Sequence, residues 1–506
     1  MKAMKRALTL LLTLALLLSL GAAAAEDGFS TSYTYTYDYW EEPQESPDAY
    51  RVATVIDSMS LGLENLEGLR INRAQSLYVR DKMLYIADTN NHRILEIRRQ
   101  GDGYVLSRII KEMNGAEENS FSQPYDVFVD PEGNIYVADF GHQRVTMMDR
   151  NLNWIRDYTK PTDATFDQNL SFLPKKLVVD VAGRVYALCQ NVNKGLVKYE
   201  ADGTFSGFIG ANKVSISMGE YIWKRYFQTK EQRAQTESFV PTEYENCYID
   251  EEGFIYATNT VFSEYDLKFD NAKPIRRLNS LGDDILIKND RFPPIGDLWW
   301  IEGSDTSGPS KFTDITVMGN DIYVALDRTR GRLFGYDSQG VLLWAFGTKG
   351  NMEGAFTGAV SLEHMGYDLL VLDQLENSVT VFKTTEYGQT IYEASEAYLR
   401  GEYDESADLW RGVLKMNANY PLAFRGIGRA ILRQDRYEEA MDYFQLAHDR
   451  ENYGRAFKLH RKVWVEQNIG WIILILAAML IIPLTIGRVR KLKWEVSEHE
   501  RGKIHK

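Results

Sequence analysis

The chain repeats one short pattern of alternating apolar and polar residues. In its clearest copy, the segments 126–130 (DVFVD) and 135–139 (IYVAD) flank a Pro-Glu-Gly-Asn turn. Alternation of this kind predicts strands with one buried face, and a turn between two such runs predicts a hairpin. Five further copies of the unit begin at Ser76, Lys176, Cys247, Asp314 and Val360. The chain therefore contains six copies.

The spacing of the copies indicates the fold. Successive copies lie 47 to 70 residues apart when the following are taken as equivalent: Tyr85, Tyr136, Tyr186, Tyr256, Tyr323 and Leu370. Each interval is long enough for a small four-stranded sheet, and a period of this size is typical of propeller blades. A closed ring packs every blade against two neighbours and leaves no long exposed edge. We therefore predict an all-β, six-bladed propeller over residues 51–386.

The repeated unit resembles the NHL-repeat family of propellers. The resemblance is carried by Pro124, Asp126, the segment 127–139 and the Asn-His-Arg-Ile run at 91–94, and it covers roughly residues 76–385. It implies the propeller fold and leaves the function open, because one fold hosts many functions.

A second repeat, with a period of 34 residues, follows the propeller. Four pairs of residues match at this offset: Tyr403 and Tyr437, Ser406 and Ala440, Trp410 and Phe444, Val413 and Ala447. The spacing is that of tetratricopeptide repeats, in which each unit is a pair of antiparallel helices. We therefore predict a small all-α, tetratricopeptide-like module over residues 387–468.

A transmembrane helix is predicted at residues 469–487. Ile469–Ile486 contains no charged residue, and eighteen helical residues span about 27 Å, close to the ~30 Å hydrocarbon core of a bilayer. Trp471 lies at one end, and a basic tail, residues 488–506, follows the other. Because basic residues favour the cytoplasmic side, we expect the tail inside the cell. A buried core helix is the alternative.

The N-terminus combines export signals with a tyrosine-rich stretch. Basic residues, an apolar core at 7–20 and small residues before position 26 predict a secretory signal peptide over 1–25. Residues 26–50 then form an N-terminal strand and linker, with Tyr33, Tyr35, Tyr37 and Tyr39 on one face. This strand either completes the last blade or offers a stacking face to sugar rings. Together, these segments predict a single-pass cell-membrane protein with an extracellular ectodomain.

The charge of the chain argues against nucleic-acid partners, and its two cysteines argue against a disulfide. The net charge is -13, and basic residues are concentrated at the two ends, so the part between them is more acidic still. Such a surface repels nucleic acid. The two cysteines, Cys189 and Cys247, fall in different blades, so we expect no disulfide between them.

Two sets of residues are candidate ligand contacts. The first begins the inner strand of each blade and consists of Ser76, Asp126, Lys176, Asn246, Asp314 and Val360. Five of these six are polar, so the ring would bind a small polar ligand or cation, or line a water-filled channel. The second set is Trp299 and Trp300, in an insertion between the fourth and fifth copies that is either a binding loop or ordinary decoration.

The sequence offers no catalytic constellation. Gluconolactonase- and paraoxonase-type propellers use calcium and the amidating-enzyme lyase uses zinc, but His92 and His142 belong to the repeat's turns and no zinc-ligand trio emerges. The sequence neither predicts nor excludes a calcium site, and we assign no cofactor. The prediction is a non-enzymatic, membrane-anchored extracellular scaffold that binds a membrane or extracellular protein, or a carbohydrate. The alternative is a cell-surface hydrolase of the gluconolactonase type, acting on a lactone or carbohydrate.

Overall fold

The computed structural model describes residues 34–38, 40, 43–66, 70–210, 244–268, 272–288, 293–297, 308–319 and 322–504. The predicted signal peptide, Tyr33, Tyr39, Trp299 and Trp300 lie outside these residues. The chain divides into two compact units, Met1–Ile391 and Tyr392–Lys506.

The strands of the first unit form six antiparallel sheets, which are the blades of a propeller and confirm the predicted fold. Blade 1 consists of Ser76–Arg80, Met83–Asp88, Arg93–Gln100 and Gly103–Ile110. Blade 2 consists of Pro124–Val129, Ile135–Asp139, Arg144–Met148 and Trp154–Tyr158. Blade 3 consists of Pro174–Val179, Val185–Cys189, Leu196–Tyr199 and Phe205–Ile209.

The other three blades differ in how many strands they contain. Blade 4 has three described strands, Asn246–Ile249, Ile255–Thr258 and Ile275–Leu278. Blade 5 contains Phe312–Val317, Tyr323–Asp327, Arg332–Tyr336 and Leu342–Phe346. In every blade, we call the first of these strands in chain order the inner strand. Blade 6 begins with Ala359–Met365, Asp368–Asp373 and Ser378–Thr384. Short helices occur at Leu63–Leu66, Thr89–Asn91 (3-10) and Glu264–Lys268.

Two N-terminal segments add strands to the outer edges of blades 5 and 6. Tyr50–Ile56 pairs with Ser378–Thr384, so blade 6 is built from both ends of the propeller. Tyr35–Tyr37, followed by Pro43–Glu45, pairs with blade 5 through Tyr35 and Ala345. The expectation that the tyrosine-rich stretch completes the last blade was therefore wrong, because alternation predicts a strand without saying which edge it joins.

The apolar cores lie between neighbouring blades. Leu77 and Leu95 of blade 1 belong to one buried cluster with Leu370 and Val381 of blade 6. Further clusters of this kind join blades 1 and 2, 2 and 3, 3 and 4, and 4 and 5. Phe346 of blade 5 packs against Phe382 of blade 6 and completes the ring, so each sheet buries both faces, which one sheet alone cannot do.

The aspartate that ends the second strand holds the loop before the first strand. Asp88 accepts a hydrogen bond from the Asn72 backbone (2.8 Å), and Asp139 accepts one from the Ser122 backbone (2.7 Å). Asp88 is also paired with Arg93 at 2.6 Å, with both side chains fully buried. The repeat's turn residues are therefore structural. His92 is one of them, since its Nδ1 accepts a hydrogen bond from the Gln123 backbone of the next blade (2.9 Å).

The second unit is helical. Its helices are Glu386–Arg400, which begins in the first unit, and Tyr403–Met416, Pro421–Arg433, Tyr437–Leu446 and Arg450–Ile504. From Tyr403 onward, each packs against the next. The last helix contains one apolar stretch that is long enough to cross a membrane.

Two glycines of Pro421–Arg433 allow the neighbouring helices to approach closely. A Cβ on Gly426 would clash with Trp410 of the preceding helix, and a Cβ on Gly428 would lie 2.7 Å from the ring of Phe444 in the following helix. Both aromatic side chains are buried. Trp410 and Phe444 are also one of the pairs matched at the 34-residue offset.

We expect Gly428→Ala to destabilise the helical unit. Overpacking a core costs about 1–3 kcal/mol, which exceeds the gain of about 1 kcal/mol from replacing glycine in a helix. Thermal unfolding followed by circular dichroism measures the change. Gly454→Ala is the matched control, because its Cβ would meet nothing within 4 Å, and it should raise the midpoint. Equal midpoints for the two variants would contradict the packing argument.

Candidate functional site

The inner strand of every blade begins with a polar side chain at the same register position. The equivalent cross-strand pairs are Ser76 with Ala87, Asp126 with Ala138, Lys176 with Leu188, Asn246 with Thr258, Asp314 with Leu326, and Ser361 with Leu372. The sixth member is therefore Ser361, and the sequence-based choice of Val360 was wrong. The turn between the first two strands is shorter in blade 6, where Met365 pairs with Asp368, than in blade 2, where Val129 pairs with Ile135, and this difference displaces the alignment by one residue.

Three members of this ring contact one another. Nζ of Lys176, from blade 3, lies 2.8 Å from Oγ of Ser76 in blade 1 and 3.5 Å from Oδ1 of Asp126 in blade 2. The Ser76 hydroxyl also donates a hydrogen bond to Asp126. Ser76 is fully buried, and the side chains of Lys176 and Asp126 are 12% and 6% exposed. The three side chains thus tie three blades together.

Three of these polar side chains also accept a hydrogen bond from a backbone amide of the next blade. Asp126 accepts a hydrogen bond from the Leu177 amide of blade 3 (2.9 Å), and Asp314 accepts one from the Leu362 amide of blade 6 (2.8 Å). Ser361 accepts one from the Leu77 amide of blade 1 (3.1 Å). Hydrogen bonds that satisfy buried groups in this way stabilise the ring.

The predicted ligand residue Asn246 takes no part in these contacts between blades. Asn246 is buried, and its Oδ1 accepts a hydrogen bond from the adjacent Cys247 amide (2.7 Å) rather than from the next blade. Trp299 and Trp300 belong to the part of the chain that the structure leaves undescribed.

A second layer of polar groups lies two residues along the inner strands. The hydroxyl of Tyr78 donates to the Val129 carbonyl of the next blade (3.0 Å), and that of Tyr248 donates to the Val317 carbonyl (3.3 Å). Glu363 is the equivalent residue of blade 6 and is only 6% exposed. Sequence reasoning missed this layer, although the two-residue period of a strand places it on the same face as the first.

His364 adds a neutral group beside this layer. Its Nδ1 lies 2.7 Å from Oγ1 of Thr316 in blade 5. Burial lowers the pKa of His364 to about 4, so the imidazole is uncharged at neutral pH.

The positive charge of Lys176 acts on three buried carboxyl groups, those of Asp126, Asp314 and Glu363. Burial raises the pKa of Asp126, Asp314 and Glu363, and the charge of Asp314 raises that of Glu363 further. Burial alone would lower the pKa of Lys176, yet the charges of Asp126 and Asp314 raise it overall. The amine is therefore protonated at neutral pH and cannot act as a general base.

Glu363→Gln should stabilise the protein as the pH rises. A group with a raised folded-state pKa contributes stability below its unfolded pKa and loses it as the pH rises through the folded value. The neutral glutamine escapes this loss, so we expect a gain on the order of 1 kcal/mol at about pH 8 and none near pH 4. Chemical unfolding across this range measures the gain. Glu353→Gln, at an exposed position, is the control, and an equal gain there would contradict the assignment.

The chemistry open to this cluster is limited by burial and charge. Proximity of a serine hydroxyl to a lysine amine is one way to activate a nucleophile. Here the Ser76 hydroxyl is inaccessible and donates to Asp126, while Lys176 is protonated. Within the described ranges, no group of three or more His, Cys, Asp or Glu could hold a metal ion. Cys189 and Cys247 are buried free thiols.

No protein-family model matches the chain, and no curated protein matches it. Among solved structures, virginiamycin B lyase from Staphylococcus aureus is 10% identical, with a TM-score of 0.36, covering 62% of this chain and 95% of its own. A putative gluconolactonase is 10% identical, with a TM-score of 0.39, covering 70% of this chain and 98% of its own. A protein of unknown function from Bacteroides thetaiotaomicron is 9% identical, with a TM-score of 0.39, covering 70% and 76%. These remote likenesses add nothing about chemistry, and the six blades rest on this chain's own strand pairing.

Proposed function

We propose that this chain is a membrane-anchored, extracellular binding protein without catalytic activity. The observation that carries this proposal is that the polar residues at the start of the inner strands are already engaged within the protein. Asp126, Asp314 and Ser361 accept hydrogen bonds from neighbouring blades, and Lys176 contacts Ser76 and Asp126. Polar groups committed in this way stabilise the scaffold and are not available for a substrate. Binding then falls to the loops and outer surfaces, as is common on rigid scaffolds.

The long C-terminal helix supports the membrane anchor. Trp471 and Trp494 are both exposed on it and lie about 35 Å apart along its axis at 1.5 Å per residue. That separation places each indole near one interface of a bilayer with a core of about 30 Å. Arg488, Arg490 and Lys491 follow the apolar stretch, which favours a cytoplasmic C-terminus.

Both repeats point to interaction rather than chemistry. The NHL-like blades form a platform of loops, and the 34-residue period favours tetratricopeptide-like helix pairs. Repeat architectures of these kinds offer extended surfaces to protein or carbohydrate partners.

Crosslinking in native membranes tests the binding role. We expect the full chain to be recovered with a discrete partner, and labelling by membrane-impermeant reagents to reach the propeller but not the basic tail. Recovery of a free monomer, or labelling of the tail instead, would count against the proposal.

A gluconolactonase-type hydrolase is the second candidate, and the Ser76 hydroxyl, 2.8 Å from the Lys176 amine, is the group on which it can be tested. A screen of lactones and glycosides with the wild-type chain and Ser76→Ala tests it. Turnover by the wild type that Ser76→Ala abolishes would establish the hydrolase and overturn the non-enzymatic role.

A further inference from the structure

The helical unit carries a row of arginines on one face of Pro421–Arg433. Arg425, Arg429 and Arg433 are four residues apart, and this spacing places side chains on the same face of a helix. Asp449 pairs with Arg425, at 2.8 Å between Oδ2 and Nε. Across the described helices, neither Arg429 nor Arg433 has a carboxylate within ion-pair distance. Two positive charges on this face are therefore not neutralised.

Both of these arginines converge on Tyr398 of the helix Glu386–Arg400. The guanidinium of Arg429 lies 4.6 Å from the centre of the Tyr398 ring, and Nε of Arg433 donates a hydrogen bond to its hydroxyl (3.3 Å). Burial alone would raise the pKa of Tyr398, but the bond from Arg433 and the charge of Arg429 lower it overall. The two guanidinium groups thus favour negative charge at this point.

We propose that Arg429, Arg433 and Tyr398 form an anion-binding surface that takes an acidic segment of a partner protein. The proposal rests on the binding role given above and names the chemical class of the partner. Guanidinium groups bind carboxylates through paired, parallel hydrogen bonds. Arg433 is exposed and Arg429 partly exposed, so an incoming carboxylate can reach both.

The spacing of the arginines favours a peptide over a single small anion. Four helical residues advance about 6 Å, and two residues of an extended chain advance about 6.6 Å. Acidic side chains on alternate residues of an extended segment therefore match Arg429 and Arg433.

The test uses the full chain in discs of zwitterionic lipid and a fluorescent peptide of alternating Asp and Ser. We expect the peptide to bind, with an affinity that falls as salt rises, and the matching Asn-Ser peptide not to bind. Arg429→Gln with Arg433→Gln should weaken binding at least about tenfold, since each guanidinium makes a charge-assisted contact. Arg436→Gln is the matched control, because Arg436 is paired with Glu439 on the same unit, and it should bind as the wild type does.

Four results would overturn the site: no binding of the acidic peptide, equal binding by the double variant, stronger displacement of the peptide by inorganic phosphate than by chloride at the same ionic strength, or preferential binding to phosphatidylglycerol vesicles. If the double variant unfolds, the single variant Arg433→Gln replaces it, because Arg433 is exposed. Crosslinking in native membranes separates this site from the general role. A partner recovered equally by wild type and double variant leaves the binding role standing and overturns this surface, whereas no partner in either overturns both.

Discussion

Replacement of Lys176 by methionine should destabilise the propeller by about 3–5 kcal/mol at about pH 7, the usual cost of leaving buried charges without a partner. Nζ of Lys176 lies 3.5 Å from Oδ1 of the buried Asp126, and its charge lowers the pKa of the buried Asp314 and Glu363 as well. Its loss also removes the 2.8 Å contact with Ser76 that links blade 3 to blade 1. Chemical unfolding of the full chain in mild detergent, followed by tryptophan fluorescence, measures the change.

The deficit of the Lys176→Met variant should depend on pH in a definite direction. Burial already raises the carboxyl pKa values, and removing the amine raises them further. Each group then contributes stability below its unfolded pKa and loses it as the pH rises. The deficit should therefore shrink toward pH 4 and grow toward pH 8.

Lys175→Met is the control for this prediction. Lys175 precedes Lys176 and is partly exposed, so we expect a change within about 0.5 kcal/mol. Restoration of stability by adding Asp126→Asn to Lys176→Met would support the charge argument. A deficit that stays constant from about pH 4 to pH 8 would show instead that lost packing causes the effect.

The sequence predicts the propeller because each blade is a local pattern. The aspartate at the end of the IYVAD strand is visible as part of the repeated pattern. The structure gives its role, since Asp139 accepts a hydrogen bond from the Ser122 backbone. The polar residues at the start of the inner strands follow from the same alignment. Only Ser361 was missed, because the hairpin of blade 6 turns over two residues, with Met365 paired to Asp368, whereas that of blade 2 turns over five, with Val129 paired to Ile135.

What these polar residues do could not be predicted, because it depends on contacts between blades. Ser76 and Lys176 are 100 residues apart in the chain and contact each other only when the ring closes. The sequence therefore left two interpretations of these positions, a ring that binds a ligand and a water-filled channel, and neither included contacts between blades. The structure adds that third role, since the side chains of Ser76, Asp126 and Lys176 contact one another and are largely shielded from solvent.

The attachment of the N-terminal strand was also beyond the sequence, because it depends on Asp297. This residue is 1% exposed, and its carboxylate accepts a hydrogen bond from the hydroxyl of Tyr35 (2.8 Å). It also binds the hydroxyl of Tyr37 and the guanidinium of Arg332. A stacking face for sugars, the other reading of these tyrosines, is not available at Tyr35, which is buried.

Asp297→Ala should destabilise the first unit by about 3–5 kcal/mol, because it leaves the largely buried Arg332 without its carboxylate. It also removes the acceptor for two tyrosine hydroxyls. The strand Tyr35–Tyr37 meets blade 5 through one backbone pair, Tyr35 with Ala345, so its side chains supply much of its attachment. Hydrogen exchange at Tyr35–Tyr37, together with chemical unfolding, measures both effects.

One tyrosine variant, Tyr37→Phe, should give an intermediate result. Tyr37→Phe removes one hydrogen bond and should cost about 0.5–1.5 kcal/mol, so its exchange should lie between that of the wild type and that of Asp297→Ala. Glu45→Ala alters an exposed position on the adjoining strand and should change neither measurement. If Asp297→Ala lowered stability while exchange at Tyr35–Tyr37 stayed slow, backbone pairing with blade 5 would be what holds this strand, and Asp297 would serve only to neutralise Arg332.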